Sequence, residues 1–373
     1  MTSAGEPVPL LMTPGPTRVP DRVLQAGARP MVHHRTAAFS AELDTALTLL
    51  GELFRTRERV LPVHATGRGA MEAAICNLFS PGDEIAVACN GKFGEMWAGF
   101  AESYGVVVHR FATDWRRDVD LAELGDLLDR RPAIRAVAAT CCDTSTGVRN
   151  DVAAIARVAH AHDALALVDA VSALGGMPFA FDEWKIDVAI TASQKCLMAS
   201  PGISFVAMSP GAWDRAAAAT LPRNYWDFRA IRDAVTKPKP ETPGTTPVHL
   251  VLQVAESLRM MREEGFERIE RRHEAIAARL RQALAERGLA MQCPGLRSLA
   301  PTVTAIALPE RLSPRSVRDG LKARGVLTAA GLGPFEATAF RIGHMGDIRM
   351  ADVERTIGAL NMTLDGARAG RAR

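Results

Sequence analysis

Residues 164–202 read ALALVDAVSALGGMPFAFDEWKIDVAITASQKCLMASPG. Two apolar runs, ALALVDA and IDVAIT, each lead into a loop of small residues. Runs that are apolar at nearly every position, and not at alternate ones, mark strands buried on both faces, the habit of parallel sheets covered by helices. Asp169 ends the first run, and Lys195 follows the second after one expected helix and strand. A carboxylate at the end of a buried strand loses its hydration and needs a positive partner. A lysine is ordinarily a solvated surface group, so its place here needs a reason. Either the two side chains pair with each other, or both face a cavity lined by their small neighbours.

The same pattern extends in both directions. ERVLPVH, DEIAVAC, GVVVHRF, IRAVAATC and ISFVAM are further short runs rich in Val, Ile and Ala, and helical patterns such as AMEAAICNLF and DVAAIARVAHAH lie between them. Strands alternating with helices predict an α/β fold with a mostly parallel sheet. KPKPETPGTTPV, 237–248, is too rich in proline for regular structure. One long helix is expected over 247–288. A smaller α/β stretch follows: TVTAIALP, a helix near 314–324, GVLTAA, AFRIGHMG and a closing helix over 350–364. The organisation expected is an N-terminal arm, 1–20, a large domain, 21–255, and a small C-terminal domain, 256–373.

Composition narrows the function. The chain has 373 residues, 47% hydrophobic and 23% charged, and a formal net charge of +3. That small excess is spread out, apart from the tail GARAGRAR, which argues against a nucleic-acid partner. No stretch has the roughly 18 uninterrupted apolar residues of a membrane helix, and the N-terminus lacks the basic region of a signal peptide. The six cysteines show no metal-ligand spacing. Adjacent Cys141 and Cys142 sit in an apolar run, so reduced, buried thiols in a cytoplasmic protein are expected and no metal site is.

Open parallel sheets bind ligands at the carboxyl ends of their strands. ATGRGAMEAA follows ERVLPVH, and its glycines open a helix whose free N–H groups suit a phosphate. An ordinary glycine turn would read the same way, and the pattern is neither a Walker loop nor G-x-G-x-x-G. NGKFGEMW places Phe93 between glycines, free to lie over a planar ring or to join the core. DTSTG gathers small hydroxyl side chains that also suit a turn. A ligand with a basic ring nitrogen, an aldehyde and a phosphate would use the acid, the lysine and the glycine turn together. Pyridoxal 5′-phosphate is that ligand.

These pieces together resemble the class V aminotransferases of PLP fold type I, nearest the alanine–glyoxylate and serine–glyoxylate (serine–pyruvate) group. The likeness runs from TPGPTRVP through ATGRGAMEAAICNLFSPGD, NGKFGE, DTSTGV, LVDAVSALGG and SQKCLMASPG to TVTAIALP and FRIGHMG. It implies that Lys195 is the Schiff-base lysine and moves the substrate proton. Asp169 would pair with the ring nitrogen, and Val171 would pack beneath the ring. Gln194 would contact the 3-hydroxyl or phosphate side, and Thr66, Gly67 and Arg68 would form the phosphate cup. Phe93 takes a stacking position, Thr144 touches the ring, and Arg341 clamps the substrate carboxylate. Thr242 and Thr245 match positions that reach a neighbouring subunit's phosphate, which implies a homodimer. His34 and Arg35 in VHHRTAAF match a segment at the substrate entrance.

The activity implied is a ping-pong aminotransferase moving an amino group from a small amino acid, of alanine or serine type, to a 2-oxo acid such as glyoxylate or pyruvate. Within the same fold, a C–S lyase or desulfurase, or a transaminase for 2-aminoethylphosphonate or pyridoxamine, stays open. A desulfurase would need a mobile cysteine, and Cys293 is the one late candidate. Gln194, where such relatives have His, argues against that branch. A non-catalytic relative would have no need to keep Asp169, Lys195 and Arg341 together.

Overall fold

The computed structural model describes residues 8–295 and 299–369. Residues 1–7 of the expected arm and the last four of the basic tail lie outside them. Seven strands form the main sheet: β1 (Leu61–Val63), β2 (Glu84–Ala88), β3 (Val107–Phe111), β4 (Ile134–Thr140), β5 (Leu165–Asp169), β6 (Val188–Ala192) and β7 (Ser204–Met208). Each lies inside one of the apolar runs quoted above, apart from β6, which runs one residue past IDVAIT to Ala192. Their spatial order is β1-β7-β6-β5-β4-β2-β3. Neighbours from β3 to β6 pair in parallel, and β7 runs antiparallel to both β6 and β1. The fold is therefore α/β with a mostly parallel mixed sheet. Helices cover it, among them Gly67–Leu78 and Val152–Ala161. All five residues of β6 and of β7 are buried, as two-sided coverage requires.

A second, antiparallel sheet of four strands comprises β8 (Ala290–Met291), β9 (Val303–Ala307), β10 (Ala329–Ala330) and β11 (Ala339–Gly343), in the order β8-β9-β11-β10. It packs on its own cluster, which includes Leu280, Leu284, Ile306, Phe340 and Val353. The N-terminal segment joins this unit: Leu10–Leu11 pairs in parallel with Val326–Leu327, and Leu10 and Met12 enter the same cluster. No helix among the described residues is long and apolar enough to cross a membrane. All six cysteines are free and buried.

Two expectations need correction. The helix expected between β5 and β6 does not form. Turns fill that interval, because Gly175 at φ +84°, the adjoining Gly176 and Pro178 interrupt any helical run. The helix expected over 247–288 is two, Val248–Glu264 and Phe266–Glu286, separated by Gly265. At φ +89° and ψ 123° Gly265 holds a backbone that side chains resist. The break also changes what the chain packs against. Val251, Leu258 and Ile269 join the main core, whereas Ile276 and Leu280 join the second.

Gly265→Ala is expected to destabilise the protein by about 1–3 kcal/mol, the cost of forcing a Cβ into that region of backbone space. Urea unfolding midpoints of variant and wild type measure it, and an unchanged midpoint would show that the bend tolerates a side chain.

Candidate active site

The carboxyl ends of β1, β2, β4, β5 and β6 share one edge of the main sheet. In register, Thr140 at the end of β4 stands beside Asp169, and Asp169 stands beside Ile190 on β6. The chain then leaves β6 through Ser193 and Gln194 to Lys195. Asp169 is buried at 3% exposure and accepts one hydrogen bond, from the Val171 N–H at 2.8 Å. Burial pushes its carboxyl up to about 7, against the pull of that hydrogen bond and of Lys195; the nearby Asp143 adds to the rise. Burial drives Lys195 the other way, below its ordinary value, with Asp169 opposing and Arg341 assisting. No ion pair joins the two among the described residues. Lys195 Nζ instead donates to the carbonyl of Pro14.

The N-terminal segment fixes that lysine closely. Thr17 N–H donates to the Gln194 carbonyl at 3.1 Å, and Thr17 Oγ1 donates to the Lys195 carbonyl at 3.0 Å. Gly15, at φ +106°, lies so near the side chain that a Cβ would come within 2.6 Å of Lys195 Cδ and Cε. Position 15 therefore needs glycine twice, for its backbone and for space.

Around this pair the other expected residues fall into two groups. Val171 packs against Gly67, where a Cβ would approach Val171 Cγ2 to 2.8 Å. Thr66 caps the helix Gly67–Leu78 with its main chain, and its side chain makes no capping bond. The Arg68 guanidinium lies 5.8 Å from the Phe100 ring centroid. At the helix start Arg68 offers its main-chain N–H, while its guanidinium lies beside Phe100. Phe93 is half-buried, stands outside the core clusters and donates its N–H to Asp143 Oδ2 at 2.9 Å. The Thr144 carbonyl accepts from Arg341 Nη1 at 2.8 Å, and the Ala330 carbonyl accepts from Arg341 Nε at 2.7 Å. Arg341 Nη2 has no partner among the described residues. Burial pulls this guanidinium down to about 10.

Thr242, Thr245, His34 and Arg35 form the second group. Arg35 pairs with Glu241 at 2.5 Å, and the buried Thr242 donates to the Gly244 carbonyl at 2.7 Å. Thr245 is exposed, and the His33 and His34 rings lie 4.5 Å apart. No hydrogen bond or ion pair links these four to Lys195, Asp169 or Arg341 among the described residues.

Sequence reading missed Asp143, the fully buried first residue of DTSTG. Its Oδ1 accepts from Ser145 N–H and Oγ, both bonds within the turn, while Oδ2 takes the Phe93 amide. An Asp two residues before a Ser is the available turn signal. It missed Pro14 as well, whose contribution is a carbonyl and so independent of residue type.

A family profile described as "Aminotransferase class-V" matches residues 10–350. The chain belongs to the class-V aminotransferases. It is 36% identical to a protein of Synechococcus named soluble hydrogenase, small subunit, over 95% of this chain and 92% of that one. It is 34% identical to the L-aspartate–glyoxylate aminotransferase of Paracoccus denitrificans, over 91% of this chain and 86% of that one. The crystal structure of the ureidoglycine–glyoxylate aminotransferase of Bacillus subtilis superposes with a TM-score of 0.92 at 30% identity, covering 99% of this chain and 96% of that chain. As a class-V aminotransferase, the protein is a pyridoxal 5′-phosphate-dependent transferase of fold type I.

The residues present fit that cofactor. Asp169 is a buried acid that no ion pair meets among the described residues. The side-chain carbonyl Oε1 of Gln194 is buried without a partner. The first amides of the helix Gly67–Leu78 adjoin the glycine packed on Val171.

A carboxyl raised to about 7 keeps its proton in the folded chain where the unfolded chain, near 3.8, has already lost it. Its favourable contribution to folding is complete below about pH 4 and drains away as pH rises toward 7. In cofactor-free protein, Asp169→Asn should therefore exceed wild type in stability at pH 8, by 1 kcal/mol or more as an order of magnitude, with the gap closing near pH 4. Denaturant midpoints across that range test this. A variant weaker than wild type at pH 8 would show that the folded chain already compensates the carboxylate.

Proposed function

We propose that this enzyme transfers the amino group of a small amino acid, of alanine or serine type, to a 2-oxo acid, with glyoxylate the favoured acceptor and pyruvate the alternative. The observation that carries this is the unpaired arrangement of Asp169 and Lys195 at adjoining strand ends, with the buried guanidinium of Arg341 nearby. The names of the relatives support glyoxylate: aspartate–, serine–, ureidoglycine– and alanine–glyoxylate transaminases all appear at 30% identity or above. Aspartate as donor is a second reading, favoured by the 34% identity to the Paracoccus enzyme.

When bound, pyridoxal phosphate supplies an electron-poor ring that accepts the electrons of the substrate Cα–H bond. Asp169 would pair with the ring nitrogen, and Val171 and Phe93 would hold the ring. Thr66 and the amides of Gly67 and Arg68 hold the phosphate, and Gln194 and Thr144 fix the ring's edge. Arg341 binds the substrate carboxylate with the directional fork that guanidinium provides. Lys195 Nζ would hold the cofactor, and its amine would accept the Cα proton of the substrate. Burial aids that step because it lowers the amine's pKa and so favours the neutral, basic form. The Pro14 carbonyl receives Nζ once it is charged.

A homodimer fits the second group. The exposed Thr245 and the half-buried His34 line a surface depression of about 570 Å³ that also includes Met31 at 67% exposure, and the exposed Arg35 follows His34 in the chain. We assign Thr242, Thr245, His34 and Arg35 to the neighbouring subunit's site and entrance. The arm over 8–20 completes the site of its own chain. Free thiols throughout suit the cytoplasm.

The desulfurase reading loses support, because Cys293 is buried at 2% exposure beside Val148 and Leu299, and burial raises its thiol.

Holoenzyme given alanine, serine or aspartate with glyoxylate should form glycine. Lys195→Ala should lose at least about 10³-fold in rate and bind no borohydride-fixed cofactor while still folding. Sulfide from cysteine, with no glycine from any donor, would overturn the proposal in favour of a lyase.

A further inference from the structure

The loop Gly331–Thr338 joins β10 to β11, the strand that carries Arg341. Gly333, Pro334, Glu336, Ala337 and Thr338 are exposed, yet Phe335 between them is buried at 7%. Phe335 belongs to none of the hydrophobic clusters. It is covered from the main-sheet side. The Trp115 ring meets it edge-on with centroids 6.1 Å apart, and the Arg116 guanidinium lies 5.7 Å from its centroid. Trp115 also lies over Gly333, where a Cβ would come within 2.6 Å of Cζ3.

Both ends of this contact lead to the site. Trp115 and Arg116 sit on the segment that leaves β3, which two asparagines tie down. Asn90 Nδ2 donates to the Arg117 carbonyl at 2.9 Å and to Asn150 Oδ1 at 2.8 Å, and Val119 N–H donates to Asn150 Oδ1 at 3.0 Å. Asn150 Nδ2 donates to the carbonyl of Thr140, the register neighbour of Asp169, at 2.7 Å. On the other side, Gly331 is packed on Phe335: a Cβ there would lie 2.8 Å from the Phe335 carbonyl carbon and 2.9 Å from the Ala339 oxygen. The residue before Gly331 is Ala330, whose carbonyl accepts from Arg341 Nε at 2.7 Å. A shift of Phe335 therefore carries through Gly331 to the carbonyl that orients the guanidinium plane.

We infer that Trp115 and Arg116 clamp Phe335 and so position Arg341 for the substrate carboxylate. The inference rests on the role proposed for Arg341 above. Trp115 and Phe335 are positioning residues: they hold the loop and do not touch the cofactor residues Lys195 or Asp169. A fork that recognises a carboxylate by two parallel hydrogen bonds is sensitive to small rotations, so loosening the clamp weakens substrate binding more than turnover.

The test uses holoenzyme of the wild type, Trp115→Ala, Trp115→Phe and Arg341→Lys. It measures kcat and KM for amino donor and glyoxylate, and amide hydrogen exchange over 331–338. Trp115→Ala should raise both KM values roughly tenfold and change kcat less than about threefold, since misplacing a binding group costs affinity before chemistry. Exchange over 331–338 should quicken in that variant, and Trp115→Phe, which keeps the aromatic contact, should restore most of both. Unchanged KM in Trp115→Ala while Arg341→Lys raises it overturns the clamp and leaves the role of Arg341 intact. Faster exchange without a KM change overturns it equally, as a merely structural contact. Unchanged KM in Arg341→Lys overturns the carboxylate assignment itself, and the clamp with it.

Discussion

Two opposite charges stripped of water, and kept from neutralising each other, constrain the rest of this fold. Asp169 and Lys195 end neighbouring routes along one sheet edge, where a direct ion pair would be the cheap solution. Their bonds are spent elsewhere, on the Val171 amide and the Pro14 carbonyl. The acid is pushed toward its neutral form and the lysine toward its own. Such a state persists only because the surrounding structure is stable enough to impose it, and a ligand with a positive ring and an electrophilic carbon relieves both.

The sheet was the most legible part of the chain. The seven strand segments could be read because most are buried on both faces, which leaves near-continuous apolar runs such as VAITA and SFVAM; β3, at the sheet edge, is the exception, with Val107 exposed. The helices were less legible where glycine decides. Periodicity carried straight through 247–288, but Gly265 breaks it, and periodicity does not report a backbone dihedral. Within the site, Asp169 and Lys195 were visible because charge at the end of an apolar strand is costly. Asp143, Asn90 and Asn150 were not, since each works by bonding main-chain groups distant in sequence. The side-chain placement of Arg68, beside Phe100, was likewise not readable, because a position next to a glycine does not report where a long side chain packs.

The site is a joint between two cores. Arg341 belongs to the small antiparallel sheet, yet it bonds the Thr144 carbonyl in a turn of the large one. The Gly343 amide donates to the Met12 carbonyl, and from there the N-terminal segment runs on to the lysine. The residues proposed for the cofactor come almost wholly from the main sheet, and the residue proposed for the substrate carboxylate, Arg341, comes from the other. Changes in their relative placement therefore alter substrate recognition while the cofactor's seat is preserved.

The N-terminal segment has a consequence for assembly. Leu10–Leu11 takes as its partner Val326–Leu327, near the opposite end of the chain. Because Pro14 and Thr17 follow directly, the reactive amine acquires its surroundings only after that long-range pairing closes. On a ribosome the main sheet can collapse while the C-terminal third is still unmade, but a growing chain carries no finished active site. Competence to react waits until the segment containing Val326–Leu327 has been made.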